Sequence, residues 1–253
     1  GLLKSLQYPN IIKRIIIVDT GSTQNNYKYL ENVQKHINFE LYRGEPSESM
    51  AELRNNAMKY IAPFEYFLSI DCDERLVVTN ENFLKHILSN HNAIPNKLIT
   101  AFQVYLRQWH TSIAEAPKFH NEQILRIALN NDIKWEYDFH ETFRESVLKR
   151  GSIGKMPINA MYLTHLGYDL PQEQFVKKLT RNAVALSKLL SRHPENGYYW
   201  FQLGRTLSVA KSHEEALKCF KKAICYVDSS ELKELLKKEI LKITMYLHNK
   251  EEL

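Results

Sequence analysis

Asp71-Cys72-Asp73-Glu74 follows the apolar run Tyr66-Phe67-Leu68-Ser69-Ile70. Side chains two apart on a strand point to the same side. Asp71 and Asp73 are therefore expected to face one point at the carboxyl edge of a sheet, where open α/β folds bind ligands. Hard oxygen donors there suit Mg²⁺ or Mn²⁺ carrying a substrate phosphate. The plain alternative is a solvated turn after a strand. Further candidates lie along the chain. Asp19 ends the run Ile15-Ile16-Ile17-Val18 and precedes Thr20-Gly21-Ser22-Thr23. A carboxylate there can accept from a pyrimidine N3–H, beside a turn that Gly21 and Ser22 permit. The alternative is a cap for the next helix. The Arg54 guanidinium can pair with a diphosphate or with the acidic loop. Without either, it is a surface salt bridge. Glu141, preceded by His140, can take a proton from an attacking hydroxyl or thiol. His140 is the alternative reactive group, with Glu141 orienting it, and Asp138 is a weaker candidate base.

These residues need elements to hold them. Residues 11–18 read as a strand, 27–37 as a helix, 39–42 as a short strand and 50–61 as a helix. On that helix Met50, Leu53, Ala57 and Ile61 form the apolar face. Residues 66–70 read as the strand into the acidic loop, and 82–89 as a helix burying Phe83, Leu84, Ile87 and Leu88. This alternation argues for an α/β sheet layered with helices. Residues 98–109, 123–129, 133–137 and 159–166 read as strands, with Asn130-Asn131-Asp132 as a hairpin turn between two of them. A mixed sheet with antiparallel additions is expected. From Gln172 onward the periodicity is helical throughout. Trp200, Leu203-Gly204, Leu207, Ala216, Phe220 and Ala223 fall at the spacing of a tetratricopeptide helix pair. The division is expected at Pro171, into residues 1–170 and 171–253.

At 253 residues, 44% hydrophobic and 25% charged, the composition is that of an ordinary globular protein. The net charge of +5 comes without a long Lys/Arg block, which argues against a nucleic-acid-binding tail. Cys72, Cys219 and Cys225 have neither metal-ligand nor disulfide-framework spacing, and reduced thiols in the cytoplasm are the simplest reading. The negative neighbours of Cys72 should raise its pKa, which does not activate it. No apolar run reaches membrane-span length, and no signal peptide is visible in these residues.

Asp19-Thr20-Gly21-Ser22-Thr23, Arg54-Asn55, Asp71-Cys72-Asp73-Glu74, His140-Glu141 and His165 together resemble a family 2 glycosyltransferase of the GT-A fold, over roughly residues 1–168. With the helical tail, the chain is similar to bacterial family 2 enzymes with tetratricopeptide tails, including those that glycosylate bacteriocin peptides. The resemblance implies an α/β GT-A domain with a Rossmann-like mixed sheet, then an all-α lobe. It implies an inverting, metal-dependent hexosyltransferase using a nucleotide-diphosphate donor, UDP-sugar above all, and a peptide, protein or glycan acceptor. It assigns base recognition to Asp19, donor contacts to Arg54 and Asp71, and Mn²⁺ or Mg²⁺ to Asp73, Asp71 and His165. Glu141 is then the general base, with His140 beside it. Arg126 falls near donor or acceptor without a defined place. A lone strand histidine such as His165 would otherwise read as a packed core residue.

A homodimer through the helical lobe fits the pattern, as does a cytoplasmic location, peripheral at the inner membrane face. In the family an apolar strand and acidic turn precede the segment aligned with Gly1-Leu2-Leu3-Lys4-Ser5-Leu6. That central strand is expected to be missing here, leaving an unpaired edge inside the sheet. The competing reading is a degenerate, non-catalytic transferase-like protein whose helical lobe docks a partner. A nucleotidyltransferase is a third, but it calls for a Gly-rich phosphate loop near the N-terminus.

Overall fold

The computed structural model describes residues 1–90, 98–110, 118–165 and 171–251. The chain divides into two units, Gly1–Asp169 and Leu170–Leu253. The order expected from sequence, α/β first and all-α second, is the order found.

The first unit opens with a helical turn, α1 (Leu2–Ser5). Then come β1 (Ile16–Asp19), α2 (Gln24–Gln34), β2 (Glu40–Arg43) and α3 (Met50–Met58), followed by β3 (Tyr66–Leu68), β4 (Glu74–Val78) and α4 (Glu81–Ser89). The unit continues with β5 (Ile99–His110), β6 (Lys118–Leu129), α5 (Arg144–Leu148), β7 (Ser152–Lys155) and β8 (Met161–His165). Thr23, Ser49 and Asn80 cap α2, α3 and α4 with their side chains.

The strands form two sheets. β1 and β2 make a parallel pair. The larger sheet has six strands in the order β3-β6-β5-β8-β4, with β7 alongside β5. It is mixed, as expected: β5 runs antiparallel to β6 and parallel to β7 and β8. Leu76, Val104, Leu106, Ile127, Met161 and Leu163 build its core with Leu6 and Leu84. A second cluster joins Phe67, Trp135, Phe143 and Val147 to Ala51 of α3.

Several expectations need correction. Residues 133–137 form no strand: Ile133 and Trp135 are buried, and the segment makes one isolated bridge, Glu136 with Thr142. Asn130-Asn131-Asp132 therefore joins no two strands, although Asp132 takes φ +54°. Apolar alternation marks burial, and here the burial is of a loop. β4 and β7 were not expected. β4 was hidden because its register begins inside the acidic motif, at Glu74. The strand read over 11–18 starts only at Ile16, and Ile11, Ile12 and Ile15 pack as loop residues against the main core. On α3 the buried residue is Ala51, while Met50 is exposed. Leu166, Gly167, Tyr168 and the expected domain end at residue 170 lie outside the described residues.

The second unit is helical over its described residues: α6 (Gln172–Arg192), α7 (Gly197–Val209), α8 (His213–Tyr226) and α9 (Ser230–Glu251). Pro171 stands at the N-cap of α6. A Cβ on Gly204 would lie 2.6 Å from Phe220 Cε1, so the glycine sets the approach of α7 to α8. Ala216, Phe220 and Ala223 are fully buried in that seam.

Candidate functional site

The acidic turn is not the paired-carboxylate strand end that residue spacing suggests. β3 stops at Leu68, and residues 71–73 turn before β4 begins at Glu74. The two aspartates then serve different partners. Asp71 Oδ1 accepts from Arg54 Nη2 at 2.7 Å, and Asp71 Oδ2 accepts from Arg126 Nη2 at 2.7 Å. Asp73 Oδ2 lies 3.1 Å from His165 Nε2. Glu74 closes the turn: its Oε2 accepts the Asp71 N–H at 2.9 Å, and its own N–H donates to the Asp71 carbonyl at 3.0 Å.

Arg54 gathers the site. From α3 its Nε donates to Glu141 Oε1 at 2.5 Å, and its Nη1 to Ser69 Oγ at 2.7 Å. The guanidinium lies over the Trp135 ring at 4.8 Å. The surface-salt-bridge alternative is corrected, because the Arg54 side chain is only 18% exposed. Asn55, the next residue, takes the other job. Its Nδ2 donates to the Trp135 carbonyl at 2.9 Å, and its Oδ1 accepts the Trp135 N–H at 2.8 Å. One Arg-Asn pair thus reaches the acidic turn and pins the segment that leads to Glu141. That segment is closed by the Glu136–Thr142 bridge, and the Met50 N–H donates to the Asp138 carbonyl at 3.2 Å. Tyr137 and His140 adopt positive φ, +71° and +55°, so the loop turns sharply on both sides of Asp138. His140 is exposed, with its ring edge-on to Phe139, while Glu141 is turned inward.

Arg126, on β6 beside Ser69, is the main residue that spacing did not place. The Ser69 N–H donates to its carbonyl, and its Nη2 bridges Asp71 and Glu74, both at 2.7 Å. Glu74 is 1% exposed and was read only as part of the motif. Burial, with Asp71 adding, raises its pKa, and Arg126 opposes that rise. Burial would also raise Asp71, but Arg126 and Arg54 outweigh it and hold the carboxyl low. Burial would lower Arg54, yet Asp71 and Glu141 outweigh it and its pKa is raised. Two guanidiniums and three carboxylates therefore share one charged cluster.

Asp19 stands apart from that cluster. Its Oδ1 accepts the Ser22 N–H at 3.2 Å, inside the turn where Gly21 takes φ +137°. Thr23, not Asp19, caps α2. Among the described residues no hydrogen bond or ion pair joins Asp19 to Arg54, Asp71 or Glu141.

Of Asp73, Asp71 and His165, the residues expected to hold a divalent cation, Asp73 and His165 stand 3.1 Å apart, while both oxygens of Asp71 accept from Arg54 and Arg126. Among the described residues no group of three or more His, Cys, Asp or Glu is arranged to hold a metal ion. Asp73 offers one hard carboxylate oxygen of the kind Mg²⁺ and Mn²⁺ take alongside substrate phosphates and water, and the His165 imidazole beside it is a softer donor. No helix among the described residues is long and apolar enough to cross a membrane.

No protein-family model matches the chain, and no curated protein matches it in sequence. Among solved structures it is similar to S. aureus TarS. Against TarS 1–349, alone and in complex with UDP, the identity is 15% and the TM-score 0.46, over 96% of this chain and 83% of that one. Against a longer TarS chain the identity is 14% and the TM-score 0.47, over 95% of this chain and 50% of that one.

Proposed function

We propose that the chain is an inverting glycosyltransferase with a GT-A-type first unit, moving a sugar from a nucleotide-diphosphate donor, UDP-sugar above all, to a peptide, protein or glycan acceptor. One observation carries the reading: Arg54 joins Asp71 of the acidic turn to Glu141, 87 residues away in sequence. The family pattern requires those residue types at one place.

In this reading Glu141 is the base. Arg54 holds one of its oxygens and aims the carboxylate. The acceptor O–H or S–H proton passes to Glu141 as the acceptor atom bonds to the anomeric carbon. The carbon–oxygen bond to the diphosphate breaks, and its electron pair leaves with the nucleotide. One displacement inverts the configuration. Asp73 and His165 would hold Mn²⁺ or Mg²⁺, which offsets negative charge on the leaving diphosphate. Asp71, bound by Arg54 and Arg126, acts on the donor through those guanidiniums, each suited to a phosphate oxygen. Asp19 takes the base, and His140 lines the acceptor side.

Residues 1–170 then form the catalytic domain. Residues 171–253 form a tetratricopeptide-like lobe that serves peptide docking, dimerisation or support. A non-catalytic reading has one observation behind it: both oxygens of Asp71 are already engaged by arginine. A panel of nucleotide sugars, assayed for hydrolysis with and without Mn²⁺, separates the two. Metal-dependent hydrolysis of one donor supports the enzyme; nucleotide binding without turnover of any donor supports the binding protein.

A further inference from the structure

A polar row crosses four strands of the larger sheet, just past its apolar core. Residues paired across strands share a face, and so do residues two apart on one strand. Leu106 on β5 pairs with Leu163 on β8 and with Glu122 on β6. One step on, Gln108 pairs with His165 on β8 and with His120 on β6. Glu74 pairs with His165 from β4. Glu74, His165, Gln108 and His120 thus stand in one row on one face, with Glu122 diagonal to Gln108. The acidic turn runs along this row. It joins β3 to β4, at opposite ends of the strand order, so residues 69–73 pass in front of β6, β5 and β8. On the way Asp71 meets Arg126 from β6, and Asp73 meets His165 from β8.

Gln108 and Glu122 have no part in the charged cluster around Arg54. Gln108 continues the line of Val104 and Leu106 and is as buried as they are, at 6% exposure. A buried amide needs a partner, and Gln108 Nε2 donates to Glu122 Oε2 at 3.0 Å. Glu122 itself is half-buried. The opposite face fastens the same stretch. The Arg107 guanidinium lies over the Phe119 ring at 4.3 Å and over the Tyr162 ring at 4.4 Å. Its Nε donates to Asn121 Oδ1 at 3.3 Å. The pair is therefore carried on a braced part of the sheet, where side chains are positioned more closely than on a loop.

We propose that Gln108 and Glu122 select the transferred sugar: they take the hydroxyl or N–H donors of a neutral ring and exclude a ring that carries a carboxylate. This rests on the transferase reading, in which the donor diphosphate is held at Asp73 and His165. Gln108 stands beside His165 on the next strand, about 5 Å across the sheet, so the sugar on that diphosphate lies against the pair. The pair offers mainly acceptors, the Gln108 carbonyl and a carboxylate with room for more than one donor. Neutral hexoses and acetamido sugars supply such donors. A hexuronate would set its own carboxylate against Glu122, a like-charge contact in a half-buried place.

Calorimetric titration of the whole chain with Mn²⁺ tests this, using UDP, UDP-glucose, UDP-galactose, UDP-N-acetylglucosamine and UDP-glucuronate. The natural sequence should bind at least one neutral donor about tenfold or more tighter than UDP-glucuronate. Glu122→Gln, which keeps the shape and removes the charge, should erase most of that ratio. Its UDP affinity and melting temperature should stay as they were. Gln108→Leu should weaken the preferred neutral donor by about tenfold with UDP affinity kept. If Gln108→Leu does not fold, Glu122→Gln decides alone. A natural chain that binds UDP but does not discriminate against UDP-glucuronate would overturn the proposal, as would a ratio untouched by Glu122→Gln. Equal losses for UDP and UDP-sugar would assign the pair to support of the fold and overturn it as well. A natural chain that binds no UDP would instead fail the transferase reading, and the sugar subsite with it.

Discussion

At the scale of single residues, one guanidinium serves two carboxylates twice over. Arg126 is the cationic partner of Glu74, whose side chain is 2% exposed. Arg126→Met should therefore cost about 3–5 kcal/mol at neutral pH, the usual penalty for stranding a buried charge. The pH dependence has a defined sign. The Glu74 pKa is already raised in the fold, and losing Arg126 raises it further. A carboxyl raised in this way favours the fold while protonated, and that contribution is lost as pH rises through its folded pKa. The deficit should shrink as pH falls from 7 toward about 4. Thermal melts across that range check it, and a deficit independent of pH would assign the loss to packing. Glu141→Gln should lower sugar transfer by about 10²–10⁴ while sparing UDP affinity. Near-full turnover in that variant would move the base to His140 or Asp138. Sequence showed Arg54, Asp71, Asp73 and Glu141 because each sits in a short motif. It could not place Arg126, whose partners lie 52 and 55 residues away, in a stretch without turn or cap signals.

Elements explain which parts were legible. α3 and α4 begin at side-chain caps, Ser49 and Asn80, and their starts follow from local chemistry. The loop over 133–137 imitates a strand because Ile133 and Trp135 must be buried. Its hydrogen bonds are met by Asn55 and by the Glu136–Thr142 bridge instead of a ladder. That exchange of a strand for a pinned loop depends on a residue 80 positions upstream, outside any sequence window. The α7–α8 seam is the opposite case, because small and large residues at fixed spacing announce it. Gly204→Leu should lower the melting temperature of the helical unit through overpacking, a cost of about 1–3 kcal/mol. Gly204→Ala should cost less, since helix propensity offsets part of the clash with Phe220. Circular dichroism melts of both variants rank them. Equal melting temperatures would mean the seam yields without cost.

For the whole molecule, the sheet is where local reading and the fold part company. β1, β2 and β3 were read in the sequence and β4 was not, and nothing local could show that β1 and β2 stand as their own pair. The candidate site is built on the larger sheet, from β6, β8 and the turn between β3 and β4, with α3 across it. The measurement that bears most directly on the central claim is calorimetric titration of UDP into the whole chain, with Mn²⁺ and with chelator, for the natural sequence and for Asp73→Asn. The account predicts UDP binding that requires Mn²⁺ in the natural chain and falls at least about tenfold, or 1.4 kcal/mol, in Asp73→Asn, with the melting temperature unchanged. UDP binding that is equal with and without metal, or untouched by Asp73→Asn, would contradict it.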